Sequence, residues 1–582
     1  MIHSAVSTAN NVVTLNGTSY PLTTNTLASG YGSGTVTYYI GNAYPQAYIL
    51  CEYIMYQKEF TVFERKQVEG YLANKWGVTL SINDLPYRHL FRYRPVALVA
   101  PPPIHPLISL GGNNCFVVKY SSSGTPLWAR RIGGPDSPCL GYSVTRDSSQ
   151  NIIVGGTYTS LQMEIYGENG NNLVFTLPPP PGGVTEIFIV KYDSSGTPLW
   201  VRRIGGTNDD IVNSITTDSS GNIIVGGTYT NSSVNIYAAD GTTVAFTIPQ
   251  SGTQNPFLVK YDSSGTPLWA RRIAGNSTEH IRSVTTDSSG NIIVTGEFFS
   301  TTLTIYAANG TTVAFTLTKI GSLDSFVVKY DSSGTPLWAR KIGGTGNESA
   351  TSVTTDLSGN IVVTGSYTGG LTIYAANGTT AVFTLLGQTS ITDVFLVKYD
   401  SSGTPLWVVR MSSAGIDLCF SVTTDLSGNI IVFGSAQNSP FSLGAANGTF
   451  PFESNNGNFL VKYNSNGTPL WAVRIPPTVA SFGSVTTDSS GNIIMTGSYG
   501  ANFGITFPFS TSILAANAVN LRLVSTSQDS FVVKFNSSGT VLWVNTFGGT
   551  GTTDQARSVC TDSSENVIVT GNYNSTSLSF YA

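Results

Sequence analysis

Asp209, Asp210, Glu279, His280, Glu348, Asp417 and Asp554 are the side chains of this 582-residue chain best suited to chemistry. Each falls in a short polar loop whose sequence differs from the others. Two carboxylates facing each other across a cleft could divide the acid and nucleophile or base roles of glycoside hydrolysis. Loop carboxylates of this kind more often face water or hold a cation weakly. The reading adopted is a candidate binding rim, with no catalytic group, no metal site and no cofactor. His3, His89, His105 and His280 are too dispersed for a metal triad or a Ser-His-Asp arrangement. Asp287-Ser-Ser-Gly-Asn291 lacks the alternating oxygen ligands of a calcium loop, and no Gly-rich phosphate loop precedes a helix. Paired basic residues (Arg130-Arg131, Arg202-Arg203, Arg271-Arg272, Arg340-Lys341) could hold phosphate. On an outermost strand their expected role is to block edge-to-edge pairing.

The elements that carry these loops repeat. Phe326-Val-Val-Lys-Tyr-Asp-Ser-Ser-Gly-Thr-Pro-Leu-Trp338 recurs seven times with small changes, and its tryptophans are Trp128, Trp200, Trp269, Trp338, Trp407, Trp471 and Trp543. Their spacings are 72, 69, 69, 69, 64 and 72 residues, a period that signals a solenoid or a propeller. Within one repeat, Ser283–Asp287 and Asn291–Gly296 read as strands A and B around an Asp-x-x-Gly turn. Leu303–Leu317 reads as an extra hairpin about Asn309-Gly310. Phe326–Tyr330 and Leu337–Ile342 read as strands C and D. Four-stranded antiparallel units repeated about an axis make a propeller. The tryptophans, with aliphatics on neighbouring strands, are the expected inter-blade core.

The Asp-x-x-Gly-Asn turn, the Phe-Val-x-Lys-Tyr strand and the Gly-Gly after the fourth strand resemble the SBBP family of seven-bladed β-propeller repeats. The resemblance covers nearly everything after residue 104 and implies an all-β, seven-bladed propeller. Asp-Ser-Ser-Gly-Thr-Pro-Leu-Trp is also similar to the Asp-box of sialidase propellers, but its Gly-to-Trp spacing is one residue longer and no arginine cluster accompanies it. A–B turns begin at Asp147, Asp218, Asp287, Asp356, Asp425, Asp488 and Asp562. The chain enters the ring with a C–D unit at Phe116 and ends with an A–B unit at Ser558, so one blade must combine both ends. Ser577–Tyr581 and Ile104–Leu110 should supply the two halves of a further extra hairpin. A–B and C–D turns fall on one rim and are nearly uniform. D–A loops fall on the other and vary, and the extra hairpins are assigned there too. Binding residues concentrate on variable loops over a rigid scaffold, which places the candidate site on that rim.

Residues 1–95 read differently. Stretches 36–42 and 47–56 have strand character, and Thr61-Val-Phe-Glu64 is a capping box opening a helix over 62–76. Glu52–Tyr56, Phe63-Glu-Arg and Val68-Glu-Gly-Tyr-Leu-Ala-Asn-Lys-Trp-Gly77 resemble the end of a concanavalin/laminin-G-like jelly roll, truncated at its N-terminal side. Residues 96–103 form a Pro-rich linker and 104–582 the propeller. The first ten residues lack the basic region and apolar core of a secretory signal, and no apolar run is long enough for a membrane helix.

Charged residues are 11% and net charge is -4, which is not the footprint of a nucleic-acid binder. Cys51, Cys115, Cys139, Cys419 and Cys560 are odd in number and irregular in spacing, so small buried thiols are expected rather than disulfides or zinc. Cys115 and Cys560 should share the closing blade, but strand B separates them. Jelly-roll tails of the Tyr71–Gly77 kind joined to these repeats are similar to proteins of giant DNA viruses of amoebae. That resemblance implies a non-enzymatic structural or interaction protein of the virion, assembled in host cytoplasm. Its expected partners are other structural proteins or copies of itself. A lectin-like module binding host glycans is the alternative.

Overall fold

The computed structural model describes residues 4–7, 12–15, 18–21 and, apart from loop breaks of which 506–520 is the longest, 106–580. The chain divides into two compact units, Met1–Pro102 and Pro103–Ala582. In the first unit Ser4–Ser7, Val12–Leu15 and Thr18–Pro21 form an antiparallel meander. The strands expected at 36–42 and 47–56, the helix 62–76, the jelly-roll remnant and the linker lie outside the described residues.

The second unit is a ring of seven blades, numbered I to VII from strand A at Cys139–Arg146. Blade III is representative: A is Glu279–Thr286, B is Ile292–Phe298, C is Asp324–Tyr330 and D is Pro336–Gly344, in antiparallel succession. Each blade has this A–B–C–D core, and the A strands touch their neighbours all the way round the axis. Blade VII takes A and B from Asp554–Thr561 and Val567–Tyr573, and C and D from Asn114–Tyr120 and Pro126–Ile132. The closure expected from the order of units is thus present. Leu107 also pairs with Leu578, joining the two expected hairpin halves.

The extra hairpins do not sit on the variable rim. The hairpin inserted between B and C of one blade adds strands E and F to the outer edge of the preceding blade. Thr302–Tyr306, from the B–C connection of blade III, pairs with strand D of blade II through Ile273↔Ile305 and Ala274↔Thr304. Six sheets are therefore six-stranded, and blade V has four strands. Each hairpin that joins a sheet is a strand exchange between neighbours and covers strand D, which the sequence reading had placed outermost, whereas Phe503–Ile505 and Leu521–Leu523 pair only with each other.

The core follows from strand C. Phe326, Val327, Val328 and Tyr330 are all fully buried, because one face meets the preceding blade and the other the following one. Buried clusters therefore combine strands of two blades: Ile224 and Leu258 of blade II pack with Val284, Val294 and Phe326 of blade III. A sheet covered on both faces uses an unbroken apolar run where a one-sided sheet alternates.

Candidate functional site

The uniform rim is built from a clasp that recurs around the ring. In each C–D turn the aspartate, or the serine or asparagine in its place, folds the turn onto its own side-chain oxygen. Asp400 Oδ1 accepts from Ser402 N at 2.9 Å and Thr404 N at 2.8 Å. With the amides satisfied, the carbonyls of Ser401, Ser402 and Gly403 turn toward the preceding blade. Lys329 Nζ donates to Ser401 O at 3.1 Å, and Trp338 Nε1 donates to the same oxygen at 3.3 Å. Arg340 donates to Gly403 O at 2.7 Å and to Ser402 O at 3.0 Å. Gly403 has φ +80°, and a Cβ there would lie 2.9 Å from the Trp338 ring, so both backbone and space demand glycine.

Lys329 also pairs with Asp287 of the A–B turn at 2.9 Å, with both side chains about 5% exposed. The same buried lysine–aspartate pair occurs in all seven blades. Burial alone would raise the Asp287 carboxyl, but hydrogen bonds from Asn291 and Lys329 outweigh it and hold it below the usual range. The clasp closes the ring as well: Lys534 Nζ and Trp543 Nε1 reach Ser122 O at 3.3 and 3.0 Å, and Asn545 replaces the arginine on Gly124 O.

The paired basics are therefore not exposed edge charges. Their first member (Arg130, Arg202, Arg271, Arg340) is buried and holds the next blade's turn. Their second member lies over a tyrosine of the exchanged hairpin: Arg131 over Tyr166, Arg203 over Tyr237, Arg272 over Tyr306 and Lys341 over Tyr374. The tryptophans are placed more finely than the sequence reading had them. They seal the rim end of each inter-blade core, and Trp128, Trp200, Trp338, Trp407, Trp471 and Trp543 donate across it. Trp338→Ala removes that seal and one cross-blade bond, so we expect a loss of about 3 kcal/mol in denaturant unfolding. An unchanged midpoint would contradict this placement.

At the opposite rim, Asp210, Glu279, Glu348, Asp417 and Asp554 are each the first residue of a strand A, and each is fully buried. They are not solvated loop charges, and they do not meet across the channel. Each turns into the junction with the preceding blade, and four of them lie near a carboxylate at the start of that blade's strand C: Glu186, Asp324, Asp393 and Asp529 respectively for Asp210, Glu348, Asp417 and Asp554. Their bonds go to loop amides. Gly344 N donates to Glu348 at 2.8 Å, and Ser413 N and Oγ donate to Asp417 at 2.5 and 2.7 Å. Glu279 accepts from Ser300, and Asp554 accepts from Ser575 Oγ at 2.6 Å. Glu348 and Asp417 thus hold the D–A connection, and Glu279 and Asp554 hold the segment that follows strand B of their own blade. Asp209 is exposed and accepts from Thr185 N at 2.8 Å.

Burial pushes Asp210 up to about 8, Glu348 up to about 9 and Asp417 up to about 7, with the neighbouring carboxylate adding to the rise in each. A carboxyl raised on folding stabilises the folded state below its unfolded value, near pH 4, and that stability is lost as pH rises through the folded value. The turn aspartates act in the opposite sense: Asp147, Asp218, Asp287, Asp356, Asp425 and Asp562 are lowered, and their contribution is lost as pH falls below about 4. The melting temperature should therefore peak near pH 4–5 and fall toward pH 9. Calorimetry across that range at constant ionic strength checks it, and Glu348→Gln should flatten the alkaline limb. A melting temperature that rises from pH 5 to 8 would contradict the assignment.

His280 is half-buried on the innermost strand of blade III. Its Nδ1 lies 3.2 Å from Glu297 Oε1 and its Nε2 lies 2.7 Å from Gln254 Oε1. Arg282 and Ser349 Oγ also donate to Glu297. Burial would raise Glu297, but His280 and Arg282 outweigh it and bring it down to about 2. A carboxylate so held has no proton to give near neutral pH. The sequence reading missed Glu297 and Arg282. The signal was available as a break in the repeat, since Glu297 stands where the other blades carry Thr, Ser or Asn.

Cys115 and Cys139 form a disulfide with Cα atoms 5.5 Å apart, which corrects the expectation of free thiols. It joins strand C of blade VII to strand A of blade I. The equivalent junctions of blades III and VI use a serine: Ser325 Oγ donates to Glu348 O and accepts from Ala350 N, and Ser530 does the same with Asp554 and Ala556. Cys419 and Cys560 are free. Among the described residues no group of three or more His, Cys, Asp or Glu is arranged to hold a metal, and no helix is long and apolar enough to cross a membrane.

Seven four-stranded cores, one clasp per junction and a blade shared by both ends define a seven-bladed β-propeller assembled from a single repeated unit. Residues 199–233 match the SBBP beta-propeller repeat family. The chain is 29% identical over 528 residues to an uncharacterized WD repeat-containing protein, L264, of Acanthamoeba polyphaga mimivirus, a match covering 79% of this chain and 37% of that one. It is 24% identical over 268 residues to the regulatory protein FlaEY of Caulobacter vibrioides, covering 43% of this chain and 25% of that one. The chain thus spans little more than a third of the first relative and a quarter of the second. A solved Dyadobacter fermentans protein of unknown function aligns over 68% of this chain and 94% of that one at 11% identity and a TM-score of 0.31.

Proposed function

We propose that this chain is a non-enzymatic structural or interaction protein, a component of the particle of a giant virus. The observation that carries the reading is the use made of the repeat's polar side chains. Lysine, aspartate, tryptophan and arginine of the repeat all serve blade-to-blade clasps, and five of the seven candidate rim residues are buried inside the scaffold. The design is that of a stiff display disc. The likeness to a mimivirus protein supports the viral setting. Mass spectrometry of washed, purified particles from the source virus tests it. Recovery of this chain in amounts comparable with other particle proteins is the expected result, and its absence from particles while abundant in infected cytoplasm would overturn the particle assignment. Turnover of any glycan by the purified chain would overturn the non-enzymatic part.

A further inference from the structure

Among the described residues only two non-glycine side chains stand on left-handed backbone, Gln150 at φ 66° and Glu565 at φ 61°. Both occupy the fourth position of an A–B turn, in blades I and VII, where the other five blades carry Gly221, Gly290, Gly359, Gly428 and Gly491. Space does not dictate those glycines, since a Cβ on any of them would meet nothing closer than 3.6 Å. A strained conformation persists where its surroundings over-determine it, and both side chains reach into the turn of a neighbouring blade. Gln150 Oε1 accepts from Ser563 N, in blade VII, at 2.8 Å. Glu565 Oε1 accepts from Ser489 Oγ, in blade VI, at 2.7 Å and from Ser490 Oγ.

Another departure from the repeat falls at the same place. Threonines near the end of strand A form a belt of hydrogen bonds about the axis. Thr217 Oγ1 donates to Arg146 O, Thr286 Oγ1 to Thr217 O, and so on to Thr561 Oγ1, which donates to Thr487 O. The link between blades I and VII is made by Arg146, which stands at the threonine position and donates from Nε to Thr561 O at 2.6 Å. Its Nη1 lies 3.4 Å from Gln150 Oε1, so these two side chains steady each other.

The three departures bracket one element, the A–B hairpin of blade VII, Asp554–Thr561 and Val567–Tyr573. In the other six blades a B–C connection carries the chain from strand B to strand C. Here strands B and C come from distant parts of the chain, and Thr570 Oγ1 donates to Phe116 O across 454 positions. Both ends of the hairpin lead to blade VI instead. Strand D of that blade precedes it, and Ser577–Phe580 follows it and pairs with that strand D through Phe547↔Phe580. The hairpin can therefore leave its strand C without drawing any other blade apart. The Cys115–Cys139 bond does not restrain it, because that bond joins strand C of blade VII to blade I.

We propose that this hairpin is a strap that fastens the ring and that Glu565, Gln150 and Arg146 are its latches. Glu565 ties it to blade VI, and Gln150 and Arg146 tie it to blade I. The strap is the cooperative unit through which the ring opens, ahead of every other junction.

Hydrogen exchange of the full chain with its disulfide intact tests this. Gln150→Ala with Glu565→Ala keeps a non-glycine residue on the strained backbone and removes the reach. Exchange across 554–573 should quicken about tenfold, the factor that one charge-assisted hydrogen bond accounts for. The corresponding hairpin of blade III, 279–298, should keep its rate. Gln150→Glu with Glu565→Gln keeps the reach and should stay within about twofold of the parent. No change at 554–573, a change confined to the turn 562–566, equal quickening at 279–298, or a conservative pair as fast as the alanine pair would each overturn the strap.

Discussion

Replacing Lys329 with alanine should lower the stability of the propeller by about 3–5 kcal/mol, the cost of leaving a buried carboxylate without its partner. Lys329 and Asp287 are each about 5% exposed and 2.9 Å apart, and the ammonium also serves Ser401 O of the next blade. One substitution thus strands a charge inside blade III and releases the turn of blade IV. Equilibrium denaturation of the full chain measures the loss, and hydrogen exchange should place the new opening at 283–291 and 400–404. Lys329→Met combined with Asp287→Asn should recover part of it, since asparagine leaves no stranded charge and its side-chain oxygen can still accept from the turn amides that Asp287 serves. A loss below about 1 kcal/mol for the single change would show that the pair behaves as a surface ion pair, contrary to its burial.

Breaking the Cys115–Cys139 bond should cost about 3 kcal/mol on the loop-entropy estimate for a separation of 24 residues. The effect should concentrate where blades VII and I meet, since the bond ties strand C of the one to strand A of the other. Both sulfurs are fully buried, so a reductant acts only as that junction opens. Cys139→Ser should melt earlier than the parent without reductant and match it with reductant. Alkylation of the denatured chain before and after reduction should differ by two thiols. An equal count would show that the bond does not form.

Strand exchange, clasp and acid ring were not equally legible in the sequence. The period of the tryptophans, the Asp-x-x-Gly turns and the order of the terminal units sufficed for seven blades and for the closure, because those signals are local and recur. Leu107 could be paired with the end of the chain by aligning repeats alone. The destination of each hairpin could not. A hairpin of the type Leu303–Leu317 has the same pattern whether it stays with its own blade or crosses to the preceding one, and only the packing of two blades decides. The misreading of Arg340 and Lys341 as edge charges followed from that one uncertainty.

The rim acids failed for a related reason. Asp210, Glu348 and Asp417 sit in polar loop sequence, and nothing local distinguishes a solvated carboxylate from one folded into a blade junction beside another carboxylate. Cys115 and Cys139 likewise come together only because strand C of the last blade lies against strand A of the first. By itself, then, the sequence determined what repeats: strands, turns, blade count and the point of closure. The tertiary structure alone decided what touches between repeats, because those contacts join residues some seventy positions apart and the repeat period is silent about which neighbour each side chain faces. It also buried five residues expected on an exposed rim, Asp210, Glu279, Glu348, Asp417 and Asp554.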